Sequence, residues 1–193
     1  MSQDADKPDY QELASQYDEE AKAYDSYGHD VIFGMSFEFV SADDKLLDIG
    51  VGTGLASMQF AEVGLKVYGL DTSQEMLAAC QSKSFTEALK RCDITREPIP
   101  YENHYFDHIV CCGVLHFVSD LTALFSEVKR VMRSGGIFAF TIAPQETSAD
   151  YIEEPTAWGV SRFKHSPQYI MKLLENKRHG VVERAEIVDK GCG

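Results

Sequence analysis

The order of apolar and polar positions divides the chain into alternating strands and helices. Leu46, Leu47 and Ile49 form a short apolar run interrupted by Asp48, and a glycine-rich turn and a helix-forming run from Leu55 follow. That order predicts a buried strand, a tight turn and a helix N-terminus. Lys66 to Leu70 reads as a second strand, a third ends at Cys92-Asp93, Phe106 to His116 holds a fourth, and Ile137–Ile142 is a fifth. Between them, Leu55–Val63 is a helix ended by Gly64, and Ser73–Ser82 is the next. A third helix, capped by Asp120, carries Leu121, Leu124, Phe125, Val128, Val131 and Met132 on one face, and Gly135-Gly136 stops it. Strictly alternating elements predict a doubly wound, mostly parallel, Rossmann-like α/β sheet with helices on both faces.

The flanks differ in character. Tyr10, Leu13, Ala14, Tyr17, Ala21 and Tyr24 share one face of an N-terminal amphipathic helix, and Val31 to Val40 reads as a second, more apolar one. Residues 144–165 read as a long polar and aromatic connection with Tyr151, Trp158, Phe163 and His165. Long connections in compact domains are often functional. Ser166-Pro167 starts a last helix, and Val181–Val188 reads as a sixth strand. No segment suggests a seventh, so six strands, seven at most, are expected. One domain over 1–193 accommodates all of this.

Composition narrows the function. The net charge is −13, and residues 1–44 hold twelve acids against two lysines. Such a surface repels phosphate backbones and argues against nucleic acid. No apolar run reaches membrane-spanning length, and the N-terminus lacks a basic and apolar leader, so a cytoplasmic protein is expected. Five cysteines without metal spacing suggest reduced thiols and no metal site. A monomer or homodimer acting on a small molecule is the expected state.

The glycines carry the most specific signal. A dinucleotide fingerprint requires G-x-G-x-x-G/A, and this chain instead has Asp48-x-Gly50-x-Gly52-x-Gly54. Asp71 ends the second strand seventeen residues after Gly54, placed to accept hydrogen bonds from ribose hydroxyls. Thr72-Ser73-Gln74-Glu75 reads as a capping box that does not require Asp71.

This arrangement resembles class I methyltransferases that use S-adenosylmethionine (SAM). The glycine loop, Asp71, Asp93, the Phe106–His116 run and the Val131–Phe140 corner match five family motifs in order, over about residues 43 to 143. The resemblance implies SAM as cofactor and S-adenosylhomocysteine (SAH) as product. It places Asp48 near the methionine ammonium, directly or through water, and Asp93 near the adenine amine. Its implied cofactor contacts are Tyr17, Asp48, Gly50, Gly52, Thr53, Gly54, Asp71, Thr72, Met76, Asp93, Ile94, Cys112 and Gly113. In this family the segment before the first strand often lids the pocket, and Tyr17-Asp18 resembles a pair often seen there. Residues 1–42 are therefore expected as a helical lid, and 144–165 as the substrate side.

His116, just past the fourth strand, is the candidate general base, with an ordinary pKa of about 6.5. The competing reading is that it only shapes the pocket. Tyr24, Tyr27, His116, Trp158 and Phe163 are the expected substrate contacts. Cys112-Gly113-Val114-Leu115 lacks the Asn/Asp-Pro-Pro-Tyr/Phe signature of DNA and protein-glutamine methyltransferases, which favours a small molecule with an O, N or S nucleophile. The alternative is a protein that holds SAM without catalysis or partners an active subunit.

Overall fold

The computed structural model describes residues 18–19, 27–156 and 159–175. Tyr17, Tyr24, Trp158, the amphipathic face of residues 10–24 and the expected strand 181–188 lie outside the described residues.

Five strands form one parallel sheet in the order β3-β2-β1-β4-β5. They are β1 (Lys45–Ile49), β2 (Lys66–Asp71), β3 (Thr86–Arg91), β4 (His108–Cys111) and β5 (Phe138–Phe140). Within residues 27–175 five α-helices accompany them: α1 (Gly28–Ser36), α2 (Leu55–Glu62), α3 (Gln74–Ser82), α4 (Thr122–Val131) and α5 (Pro167–Glu175). The expected six or seven strands are thus five among the described residues. The chain after β5 leaves the sheet instead of extending it, and pairs with itself as β6 (Tyr151–Pro155) and β7 (Ser161–His165).

Strand alternation assigns the two faces of the sheet. Leu46, Val67 and Val110 pack with Ile32 of α1 and Phe60 of α2. Leu47, Ile49, Ile109 and Cys111 pack with Leu124, Phe125, Val128 and Val131 of α4 and with Tyr169, Ile170 and Leu173 of α5. Because β1 and β4 are covered on both faces, they read as nearly continuous apolar runs. The one acid inside them, Asp48, therefore needs a separate explanation.

Several boundaries moved for local reasons. The α1 helix spans Gly28–Ser36 and tightens into a 3-10 turn at Phe37–Phe39, instead of running from Val31 to Val40. The cap of α3 is Ser73, one residue later than expected: its hydroxyl accepts from Met76 N–H at 3.1 Å and donates to Glu75 at 2.9 Å. Asp120 accepts from Thr122 N–H at 2.8 Å, but α4 begins at Thr122, with Leu121 as its flanking residue.

The stretch 144–165 is largely a β-hairpin and not an irregular connection. Its alternation is short and its outer positions are polar, so the strand period is hard to see in sequence. Lys164 Nζ pairs with Glu154 Oε1 across it at 2.7 Å, and the Tyr151 and Phe163 rings meet edge to face. Its end is seated on the fold by His165, whose Nε2–H donates to Val118 O at 2.9 Å.

The corner before β5 is tight. A Cβ on Gly136 would stand 1.9 Å from the Asp107 carbonyl oxygen, a backbone atom that cannot swing away. Gly136→Ala is expected to lower stability by about 3 kcal/mol, at the upper end of overpacking costs. Urea unfolding measures it, and a loss below about 1 kcal/mol would contradict the close approach.

Candidate cofactor and acceptor site

The site lies at the carboxyl ends of β1, β2 and β4, where a doubly wound sheet places its ligands. Between β1 and α2 the chain turns through Gly50 (φ 72°), Gly52 (φ 52°) and Gly54 (φ 89°). Gly50 and Val51 both donate N–H to Leu70 O at 2.8 Å, which ties the turn to β2. A Cβ on Gly50 would stand 2.2 Å from Val114 Cγ2, so only glycine fits there without a shift. At Gly52 a Cβ would meet nothing within 4 Å, and that open backbone can face a ligand.

Asp71 closes this loop from the side. Its Oδ2 accepts from Gly52 N–H at 2.8 Å and its Oδ1 from Ser73 N–H at 2.9 Å. The carboxylate thus holds the glycine loop and the start of α3 together, and keeps lone pairs for two more donors. The cap of α3 is therefore not independent of Asp71, as the capping-box reading had it.

Asp48 is the unusual group. It is 1% exposed, and neither carboxylate oxygen has a hydrogen-bond partner. Burial pushes its pKa up to about 7; the neighbouring Ser57 hydroxyl offsets part of the rise, and the charge of Asp71 adds to it. The Ser57 hydroxyl is itself without a partner, so the two groups lie close without closing a hydrogen bond. An orphaned carboxylate beneath an open glycine turn fits a ligand that brings a cation. The donor set therefore fits SAM: Asp48 for the ammonium, Gly52 for close backbone approach and Asp71 for the ribose.

The other expected cofactor residues lie in the segments that follow β1, β2, β3 and β4. Thr53 is buried and donates its hydroxyl to Asp18, and Lys83 pairs with the same carboxylate. Asp18 thus links the glycine loop to the end of α3. Met76 is buried and Thr72 exposed on α3's approach. Asp93 holds its own turn, accepting from Thr95 Oγ1 at 2.6 Å and Thr95 N–H at 3.0 Å, bonds that lower its pKa. Ile94 beside it is half-buried. Gly113 (φ 70°) donates its N–H to Thr141 Oγ1 at 2.8 Å, which locks the exit of β4. Burial pushes the Cys112 thiol up to about 12 and Cys111 well above the ordinary thiol value, so neither is a ready nucleophile.

On the acceptor side the expected residues separate. His116 lies on the 3-10 turn Leu115–Phe117, with its ring 4.1 Å from Phe117. Burial, then the charges of Arg162 and His165, hold its pKa down at about 4, well below the expected value. Phe163 lines a cavity of about 450 Å³ with Ile94, Phe117, Ser119 and Leu124, and His116 is not among its walls. Tyr27 is exposed at the start of α1. His108 is buried and bonds Asp44 Oδ2 through Nε2 at 3.1 Å. Thr141 and Arg162 were not singled out from sequence, since nothing local marks the partners they meet across the fold; Asp18 was named only within the Tyr17-Asp18 pair.

A methyltransferase-domain family model matches residues 47–140, which span the glycine loop, Asp71 and β4. The bifunctional biotin biosynthesis protein BioHC of Saccharophagus degradans is 28% identical over 156 residues, covering 78% of this chain and 26% of that protein. A malonyl-[acyl-carrier protein] O-methyltransferase of Hamiltonella defensa is 34% identical over 96 residues, covering 50% of this chain and 36% of that one. The chain spans about half the length, or less, of the first curated relatives it matches (26%, 47% and 45%). An S-adenosylmethionine-dependent methyltransferase from Mesorhizobium loti superposes with a TM-score of 0.63 at 22% identity, over 75% of this chain and 78% of that one, a likeness of fold. The loop geometry, the strand order and the matched residues agree: over residues 47–140 the chain is similar to the methyltransferase-domain family, and its fold is that of SAM-dependent methyltransferases.

Proposed function

We propose that this chain transfers a methyl group from SAM to a small-molecule O, N or S nucleophile. The observation that carries the reading is Asp48, a buried carboxylate without a partner under a glycine turn closed by Asp71. When bound, SAM supplies a methyl already activated on a sulfonium. The chain's task is then to align the acceptor and exclude water, so no obligatory acid–base pair is required. Asp48 would take the ammonium, Asp71 the ribose hydroxyls, and Thr72, Met76, Asp93, Ile94, Cys112 and Gly113 the rest of the cofactor. Asp18 would hold the N-terminal segment, with Tyr17 and Tyr24, over the loop as a lid. Tyr27, Trp158 and Phe163 would enclose the acceptor, with His116 beside it. Relatives named for malonyl-[acyl-carrier protein] and demethylmenaquinone support a small or carrier-borne acceptor.

Incubation with labelled SAM and a metabolite panel tests the reading. Label transfer to at least one small molecule is expected; tight SAM binding with no transfer would favour the second reading, a SAM-holding protein without catalysis. One observation favours that second reading: a histidine with a pKa of about 4 is a weak base. If His116 does accept the proton, kcat/KM stays flat from about pH 5 to pH 8, because the imidazole of the free protein is already neutral. In that case His116→Gln lowers kcat by on the order of a hundredfold while SAH affinity holds. A kcat/KM that climbs with a midpoint near pH 6.5 would contradict this environment for His116 in the free protein.

A further inference from the structure

Arg162 is a cation with an unmet need. It faces Glu154 in the β6–β7 register, but Glu154 accepts from Lys164, two places along on the same side of β7. Arg162 Nε is buried without a hydrogen-bond partner, and the guanidinium makes no ion pair among the described residues. An unsatisfied buried N–H on a charged group costs more than a neutral one, so a fold keeps it where a ligand completes it. The strand carrying Arg162 packs against the turn Leu115–Phe117, which holds His116. His165 on the same strand fixes that turn by donating Nε2–H to Val118 O at 2.9 Å. Tyr169 fixes its far end, accepting from Leu121 N–H and donating to Asp120 Oδ1, both at 2.9 Å.

We propose that Arg162, with His116 beside it, is the seat of a carboxylate on the methyl acceptor. The seat rests on the methyltransferase reading for its purpose, and it names the acceptor class: a small organic acid. A guanidinium offers a planar pair of donors that matches a carboxylate. Around His116 the charge of Arg162 acts after burial, and His165, itself held below its ordinary pKa by burial, adds to it when protonated. A seated carboxylate would neutralise Arg162 and release His116 toward its ordinary pKa, so the acceptor would improve the base beside it. The acidic character of the chain does not oppose this, since residues 1–44 carry −10 of the net −13.

The test uses benzoate and its neutral isostere benzamide as probes, with SAH present, and reads the His116 imidazole by NMR. Benzoate is expected to bind and to raise the His116 midpoint from about 4. Arg162→Gln should weaken benzoate roughly tenfold or more, and Arg162→Lys should restore part of it. Benzamide should bind far more weakly than benzoate. Equal affinities for the two probes, no benzoate binding, or benzoate affinity unchanged in Arg162→Gln would each overturn the seat. If Arg162→Gln fails to fold, the wild-type probe pair and Arg162→Lys still decide. SAH affinity is read separately: SAH binding without an Arg162-dependent benzoate site sinks this inference alone, whereas absence of SAH binding sinks the methyltransferase reading.

Discussion

The ligand-free protein is expected to lose about 4 kcal/mol of stability to Asp48 as pH rises from about 4 to about 7, and Asp48→Asn to remove that loss. The sign follows from the direction of the shift. In the unfolded chain an aspartate titrates at about 3.9, whereas burial lifts folded Asp48 to about 7. Between those values the folded state binds more protons, so stability falls with rising pH, and above about pH 7 the full cost is present. Asp93, Asp107, Asp120 and Glu127 have lowered pKa values, and their contributions fall away on acidification. They are common to both proteins and cancel in the difference. Urea midpoints of wild type and Asp48→Asn across pH 4 to 8 should therefore diverge, with the variant more stable at pH 8. A pH-independent difference would mean that Asp48 is solvated or paired.

Asp71→Ala is expected to weaken SAH binding by on the order of a hundredfold, from two bonds to a charged acceptor at roughly 1.5 kcal/mol or more each. The same change removes the acceptor of Gly52 N–H and Ser73 N–H, so the glycine loop loses its side support as well. Stability should fall by about 2 kcal/mol, since two backbone donors near the surface can turn to water. Calorimetry on the folded variant checks both numbers. An unchanged SAH dissociation constant would remove Asp71 from the ribose site. Asp71→Asn distinguishes the two roles, because an amide oxygen can keep one backbone bond while the charge is lost.

Legibility in the sequence followed the range of the interactions. The glycine loop was readable because its demand is local: Gly50, Gly52 and Gly54 all have a positive φ. Strands β1 and β4 were readable because burial on both faces writes a nearly continuous apolar run. The hairpin of β6 and β7 was not, because its polar outer positions hide the period of two and its support comes from Val118, more than forty residues earlier in the chain. The cap of α3 was misplaced by one residue because Thr72 and Ser73 are both good caps, and Asp71 decides by taking Ser73 N–H. His116 lies on the turn after β4, yet its basicity is set by burial and then by Arg162, neither of which a local pattern announces. Asp18 carried a signal in the Tyr17-Asp18 pair, but its reach to Thr53 and Lys83 came only with the fold.

The central claim is that the turn after β1 binds SAM through a carboxylate that burial leaves partly protonated near pH 7 until the ligand arrives. Calorimetry of SAH binding near pH 7, in buffers of different ionisation enthalpy, tests it most directly. The account predicts SAH binding that releases a fraction of a proton from wild type and none from Asp48→Asn, with NAD binding far more weakly. Tight NAD binding without SAH binding, or proton release identical in the two proteins, would contradict it.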